Sequence, residues 1–198
     1  MSTLTIVPFD FPAPLLSAAS VAYAHPRRAY HHFGHAKSVL NLVATVPELE
    51  HPRETALAAL FHDAVYLAGR SDNEALSADL AVQTIPQHLT GVDLDRVRHL
   101  IMLTARHGKL TAADLDPDAA HFVDCDMAII GAPPAEFDAY DAAIAEEYRG
   151  VVPGMVYRFN RRRFLKHLLD ADRIYFSPRF HAQFDAQARA NLRRVLDS

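Results

Sequence analysis

Apolar residues recur along the chain at the three- and four-residue spacing of amphipathic helices. In the second such segment, Val39, Leu42 and Val46 lie on one face, and a proline follows directly. No segment shows the strict alternation of apolar and polar residues that is typical of a strand, and no repeat of fixed period is visible. The pattern therefore predicts an all-α fold of about eight or nine helices in an irregular bundle.

Prolines, glycines and capping residues set the predicted helix boundaries. Pro52 stands where a first turn tolerates proline, Asp93 is suited to cap a helix, and Gly131 is suited to end one. On these signals we predict a central helix from residue 52 and further helices over 15–23, 30–46, 73–85, 94–106, 119–130, 135–149, 155–170 and 180–196. We expect a single domain of residues 1–198, with an N-terminal loop over 1–13, the main motifs within 28–131 and C-terminal helices over 135–196.

Composition and charge narrow the classes of function. Half of the 198 residues are apolar, enough for a substantial core, and the net charge is −4. An acidic chain argues against a nucleic-acid polymer as partner, because duplex binding needs a broad basic face. Cys125 is the only cysteine, which excludes an intrachain disulfide and fits a reducing compartment. We expect a cytoplasmic protein with neither a membrane span nor a signal peptide, because no long apolar run and no basic N-terminal segment is present.

Two adjacent polar residues, His62 and Asp63, follow the apolar helical stretch 55–61. Burying an imidazole and a carboxylate costs free energy unless each has a hydrogen-bond partner or a metal ion. The two residues can therefore form a hydrogen-bonded pair at an interior helix end, or belong to a metal site. The pair alone leaves both interpretations open.

Three histidines cluster in the second helix: His31, His32 and His35, the last on the apolar stripe. Imidazole is the commonest transition-metal ligand, so the cluster indicates a metal site. A zinc metalloprotease is excluded, because its motif places a general-base glutamate directly after the first histidine, where this chain has His32.

Two carboxylates, Asp124 and Asp126, interrupt a later apolar helical segment. Because they are two positions apart, they point to different faces of a helix. One can be exposed or capping, whereas the other is buried and needs a cation or hydrogen-bond donors. We expect Asp126, which lies deeper in the apolar run, to be the buried one.

The order of His35, His62-Asp63 and Asp126 resembles the HD superfamily of metal-dependent phosphohydrolases, whose signature is His, His-Asp, Asp on an all-α scaffold. The segment Arg-Ala-Tyr-His-His-Phe-Gly-His at 28–35 is similar to the Arg-x-Tyr-His-Asn-x-x-His opening of a bacterial subfamily of predicted metal-dependent HD phosphohydrolases. Later motifs of that subfamily resemble the segments 61–66, 73–78, 124–131, 147–148 and 189–192. His32 departs from the pattern, which usually has Asn there. Its role as a ligand, a substrate contact or a neutral replacement stays open.

The resemblance implies four metal ligands: His35, His62, Asp63 and Asp126. This mixed nitrogen and oxygen set suits one divalent ion, either Mn, Fe, Co, Ni, Zn or Mg. A second metal would need a further ligand such as His107. The ion would activate a water molecule for hydrolysis of a small phosphoester, for example a nucleotide. The expected partner is therefore a small phosphorylated substrate, and a homodimer is left open.

Phosphate contacts are also expected around the predicted ligands, and for Arg28 the alternative is a surface ion pair. Arg28, with its planar and permanently charged guanidinium, is expected to hold the substrate phosphate together with His31 and His32. His107 has two interpretations of equal weight. It is either a contact to phosphate or to a second metal, or an exposed histidine favoured by a helix C-terminus.

Glu74 is assigned to catalysis with Asp63, because related enzymes use an acidic residue after the His-Asp helix to assist the attacking water. The run Ser71-x-x-Glu74 also matches a capping box, which would be a purely structural role. Two other functions are weighed against hydrolysis. A di-iron oxygenase, known elsewhere in the superfamily, needs more histidine ligands than are obvious here. A non-catalytic regulatory or binding domain would retain buried carboxylates without a metal, which is costly.

Overall fold

The computed structural model describes residues 9–197, and the fold of this part is all-α. The prediction of eight or nine helices is confirmed, because this part of the chain contains nine α-helices and no strand. They are α1 (Ala13–Ala22), α2 (Phe33–Val43), α3 (Pro52–Phe61), α4 (Asn73–Thr84), α5 (Leu94–Thr104), α6 (Pro117–Met127), α7 (Pro134–Glu147), α8 (Gly154–Asp170) and α9 (Pro178–Leu196). Of the predicted N-terminal loop, residues 1–8 lie outside the described residues and 9–12 have no regular structure. No helix within 9–197 is long and apolar enough to cross a membrane.

The chain divides into two compact helical units, the first ending at Ala105 and the second beginning at Arg106. In the first unit, α3 packs against α2, α4 and α5. Every residue of α3 from Thr55 to Phe61 is buried. A helix that is buried all round forms the centre of a core, so the residues at its end are placed in the interior.

The central helix ends directly before His62-Asp63. Phe61 is its last helical residue and His62 is its C-cap, so Asp63 already lies in the following turn. The last carbonyl groups of a helix have no partner within it. The predicted functional pair therefore lies where the backbone needs hydrogen-bond donors from elsewhere in the fold.

In the second unit, α9 packs against α6, α8 and the 3₁₀ turn Ala128–Gly131 that continues α6. The buried Asn191 of α9 donates from Nδ2 to the carbonyl oxygens of Ile130 and Ala132, at 2.9 Å each. These two bonds satisfy carbonyl groups at the end of the turn and hold it against α9.

Capping explains two differences between the observed and predicted helix boundaries. The second helix begins at Phe33 rather than at residue 30, because His32 caps it by accepting a hydrogen bond from the Gly34 amide. The α6 helix begins at Pro117 rather than at residue 119, because Asp116 caps its first turn. Both caps satisfy amide groups that have no partner within their helix.

Candidate metal centre

Three side chains from two segments of the first unit meet in its interior. His35 lies in the first turn of α2, whereas His62 and Asp63 follow the last residue of α3. The Nε2 atom of His62 lies 3.1 Å from Nε2 of His35 and 3.0 Å from Oδ2 of Asp63. The distance from His35 Nε2 to Asp63 Oδ2 is 3.4 Å. Among the described residues, these three form the group whose donor atoms could hold a metal ion together.

The three distances fit donor atoms arranged around one ion. Donors bound at about 2.1 Å are about 3.0 Å apart when they subtend a right angle, and about 3.4 Å apart in a tetrahedron. The observed range of 3.0 to 3.4 Å spans these two cases. The donor types fit as well, because two imidazole nitrogens and a carboxylate oxygen suit several divalent transition metals.

The backbone sets the orientation of the His62 ring, whose side chain is fully buried. Its Nδ1 lies 2.9 Å from the carbonyl oxygen of Ala59, so we assign the hydrogen to Nδ1, which donates it. In the neutral ring, Nε2 then carries a lone pair on the side of His35 and Asp63. Tyr30 packs against the His35 ring with centroids 4.6 Å apart. A hydrogen bond therefore orients the His62 ring, and an aromatic contact orients the His35 ring. Interactions beyond the donor atoms orient the ligands of metal sites in this way.

The Asp63 carboxylate is favoured in its ionised form. Burial raises its pKa, but positive charge on protonated His62 and His31, together with hydrogen bonds from His35 and His62, lowers it by more in the metal-free protein. A metal bound at Nε2 of His62 would replace the hydrogen there and supply the positive charge instead. Their sum holds the pKa of Asp63 well below its ordinary value. The group is thus ready to act as an anionic ligand at neutral pH without first losing a proton.

Arg28 contacts the metal centre through the backbone. Its guanidinium donates to the carbonyl oxygens of His31, Asp63 and Ala64. It also lies over the ring of Tyr23, 5.2 Å from the centroid. Arg28 was identifiable from sequence as a residue of the site, whereas Tyr23 was not. A tyrosine at the end of an apolar helix has the pattern of an ordinary core residue.

Two buried residues of α4 hold the turn that follows Asp63. The Ser77 hydroxyl accepts a hydrogen bond from the Val65 amide at 3.0 Å and donates to the Val65 carbonyl at 3.1 Å. The Asn73 side chain makes the same pair of bonds with the amide and carbonyl of Leu67, both at 3.0 Å. The segment 73–78 was identified from sequence by its similarity to a family motif. It has a structural role as well, because Asn73 and Ser77 fix the turn.

The predicted capping box at Ser71 and Glu74 is wrong. Helix α4 begins at Asn73, its N-cap is Asp72, and the Asp72 side chain makes no capping hydrogen bond. Glu74 is half-buried in the first turn of the helix. Its catalytic role stays a prediction, now without the competing assignment to a capping box.

The two histidines before α2 have different surroundings. The His31 ring stacks on Tyr66, with centroids 3.8 Å apart. His32 is exposed and its Nδ1 accepts the Gly34 amide hydrogen at 2.9 Å. A Cβ atom added to Gly34 would lie 2.5 Å from Cε1 of the His32 ring, so the cap depends on glycine there. Asn is also a strong N-cap, which explains physically how His32 can replace it.

The fourth predicted ligand, Asp126, belongs to the second unit. Its Oδ2 lies 2.7 Å from Nε2 of His107, a residue of the same unit. Both side chains are mostly covered, with exposed fractions of 11% and 19%. The interpretation of His107 as an exposed helix-end histidine is therefore wrong, and its role as a phosphate or metal contact stays a prediction.

The prediction that Asp126 is the more buried of the two α6 carboxylates is also wrong. Asp124 is almost completely buried, and its oxygens accept hydrogen bonds from the amides of Phe176 and Ser177 at 2.8 and 2.7 Å. Ser177 is the N-cap of α9, so Asp124 satisfies amides at the start of that helix. Burial raises the pKa of Asp124 despite these bonds.

No family model, curated protein or solved structure matches this chain. The assignment of a function therefore depends on the residues and geometry described above.

Proposed function

We propose that this protein is a metal-dependent phosphohydrolase of the HD type that acts on a small phosphoester, for example a nucleotide. The observation that carries the proposal is the group of His35, His62 and Asp63, whose donor atoms lie 3.0 to 3.4 Å apart. We propose a cytoplasmic location as well, on the basis of the single, buried Cys125.

The chemistry of the three donors supports a metal in preference to a purely structural cluster. A structural cluster needs a hydrogen between each pair of polar atoms, whereas His62 already uses its Nδ1 hydrogen on Ala59. In the neutral His62 ring, Nε2 can accept a hydrogen from His35 or bind a metal, but it has no hydrogen to donate to the Asp63 carboxylate 3.0 Å away. A divalent ion bound here would polarise the phosphoryl group and lower the pKa of its water ligand from about 15.7 towards about 7.

The remaining residues have proposed roles that follow the resemblance. The resemblance implies Asp126 as a fourth ligand, and Glu74 would accept a proton from the attacking water. His31, His32 and His107 would contact the substrate phosphate. Capping of α2 uses Nδ1 of His32 as an acceptor, so a phosphate contact would be made by the hydrogen on Nε2 of the same ring.

Elemental analysis of the purified protein tests the metal centre. We expect about one divalent ion per chain in the wild type and less than about a tenth of that in His62→Ala, because the remaining donors cannot hold the ion alone. The matched control is His25→Ala, which removes an exposed histidine outside the group. Chelation should lower the melting temperature of the wild type, because the ion binds only the folded state. Equal metal in wild type and His62→Ala would contradict the site.

A substrate screen tests the reaction. Metal-loaded protein should release phosphate from at least one nucleotide, sugar phosphate or phosphodiester, and the Asp63→Ala variant should show less than about a hundredth of that rate. If no compound turns over above the variant, the hydrolase proposal fails. Two irons per chain together with oxygen consumption would then indicate a di-iron oxygenase.

A further inference from the structure

We propose that Arg28 is a positioning residue that ties together the two segments carrying the metal ligands, and that it acts through their backbone. This inference rests on the proposed metal centre, but it differs from the role expected of Arg28 from sequence. A phosphate clamp binds the substrate, whereas a positioning residue fixes the groups that bind the metal.

One guanidinium reaches both ligand-bearing segments. Its Nη1 atom donates to the carbonyl oxygen of His31 at 3.2 Å, just before the helix that carries His35. Nη1 also donates to the Asp63 carbonyl oxygen, and Nη2 donates to the Ala64 carbonyl oxygen, both at 2.9 Å. An arginine presents several donors in one rigid plane, so it can join carbonyl groups that are distant in sequence.

The backbone needs these donors because the central helix stops at Phe61. The carbonyl groups of Asp63 and Ala64 lie beyond the regular hydrogen-bonding pattern of the helix, in a part-buried setting where a missing partner is costly. Arg28 supplies them with a charged donor, and hydrogen bonds to charged groups are stronger than neutral ones.

Asp63 is held on both sides of its Cα atom. Its amide donates to the Tyr23 hydroxyl at 3.3 Å, and its carbonyl accepts from Arg28. The Tyr23 ring in turn lies under the guanidinium, with 5.2 Å between the centroid and Cζ. With the peptide groups fixed, the carboxylate reaches His35 and His62 by side-chain rotation alone. Such support behind a ligand usually matters for metal affinity.

The geometry distinguishes the two roles of Arg28. Three of the five guanidinium hydrogens are directed at backbone carbonyls, including both on Nη1, so a phosphate contact made end-on through Nη1 and Nη2 would require breaking bonds that hold the Asp63 turn. A phosphate clamp predicts that loss of Arg28 raises KM and leaves the metal affinity intact. A positioning residue predicts that the metal affinity itself falls.

The experiment compares Arg28→Ala and Arg28→Lys with the wild type, using Zn²⁺ and Mn²⁺ titrated against a chromophoric chelator. We expect a loss of metal affinity of about 10- to 100-fold in both variants, because a lysine ammonium cannot donate to three carbonyls in one plane. Tyr23→Phe, which keeps the ring and removes only the hydroxyl, should lose affinity by a smaller factor.

Two controls separate positioning from general damage. Arg27→Ala removes the neighbouring exposed arginine and should bind metal as the wild type does. Asn191→Ala loses two buried hydrogen bonds in the second unit, so it should be less stable at unchanged metal affinity. If Arg28→Ala fails to fold, Arg28→Lys and Tyr23→Phe carry the test.

A readout without metal keeps this inference separate from the proposed function. In chelator-treated protein labelled with ¹⁵N-histidine, long-range ¹H–¹⁵N spectra should show His62 with its hydrogen on Nδ1. The signals of His62 and His35 should shift or broaden in Arg28→Lys but not in Arg27→Ala. Unchanged histidine signals and metal affinity, with only KM raised, would overturn the inference. If the wild type binds no metal, the proposed function fails and the histidine spectra alone decide the role of Arg28.

Discussion

Two groups of buried polar side chains, one in each unit, have different kinds of partner. In the second unit, Asp124 and Asn191 each bond to backbone groups: Asp124 accepts two amides at the start of α9, and Asn191 donates to two carbonyls after α6. In the first unit, His35, His62 and Asp63 direct donor atoms at one another. A buried side chain that bonds to a backbone group completes the fold, whereas one whose donor atoms face other polar side chains can bind a ligand. Burial alone does not distinguish the two.

The two arrangements contribute differently to stability because they satisfy different hydrogen-bonding groups. Backbone groups left at helix ends need partners, and a side chain that supplies one contributes stability directly. His62 satisfies one backbone carbonyl, that of Ala59, but the donor atoms that the three side chains direct at one another satisfy no backbone group and cost free energy to bury. A bound metal ion would offset that cost, which is why the group supports the proposed metal centre.

The largest effect on stability that we predict concerns Asp124. Asp124→Ala removes the acceptor of two buried amides, so the free energy of unfolding should fall by about 3 kcal/mol in urea denaturation. The matched variant, Asp126→Ala, removes a carboxylate from the same helix whose bond is to a side chain, that of His107. In metal-free protein it should lose less, about 1 to 2 kcal/mol, because its bond to His107 is made to a mostly covered side chain rather than to a backbone group. Equal losses in the two variants would remove the distinction between the two kinds of partner.

A smaller effect separates capping from ligation at His32. His32→Ala should lower the free energy of unfolding by about 1 kcal/mol, because the Gly34 amide loses its acceptor. His32→Asn should recover most of this loss and leave metal affinity unchanged. A large fall in metal affinity in His32→Asn would show that His32 is a ligand, and the cap would then be secondary.

The smallest effect concerns a third kind of buried polar atom, one with no partner. Among the described residues, no atom forms a hydrogen bond with the buried hydroxyl of Tyr157. Tyr157→Phe should therefore raise the free energy of unfolding, by up to about 1 kcal/mol.

The same residue gives a pH dependence with a defined sign. Burial raises the pKa of Tyr157 to about 12, above its ordinary value of about 10. Between these two values the unfolded chain ionises and the folded protein does not, so stability falls as the pH rises from about 10 to about 12. The advantage of Tyr157→Phe over the wild type should therefore grow across this window, as measured by urea denaturation at fixed pH. A constant difference would contradict the raised pKa.

Helix content and the residues of the candidate metal centre were predictable from the sequence. The 3-4 spacing along α2 and the apolar run of α3 are local properties, and capping at Asp93 followed from residue type, as its bond to the Arg96 amide confirms. The pairing of His35 with His62-Asp63 came from the order of residues that resembles the HD superfamily. That resemblance itself stays a prediction.

The sequence by itself determined that this chain is helical and where its chemistry-bearing residues lie, because helix spacing and caps depend on neighbours within one turn. Only the tertiary structure decided which groups those residues contact. Asp124 and Asp126 lie two positions apart in one apolar helical segment, and the sequence did not show which of them is buried. In the structure Asp124 bonds to the start of α9, and Asp126 bonds to His107. Arg28 has the charge of a phosphate ligand, but folding brings to it the carbonyls of a helix end 35 residues away. Such partners are set by packing between distant segments, which local patterns do not encode.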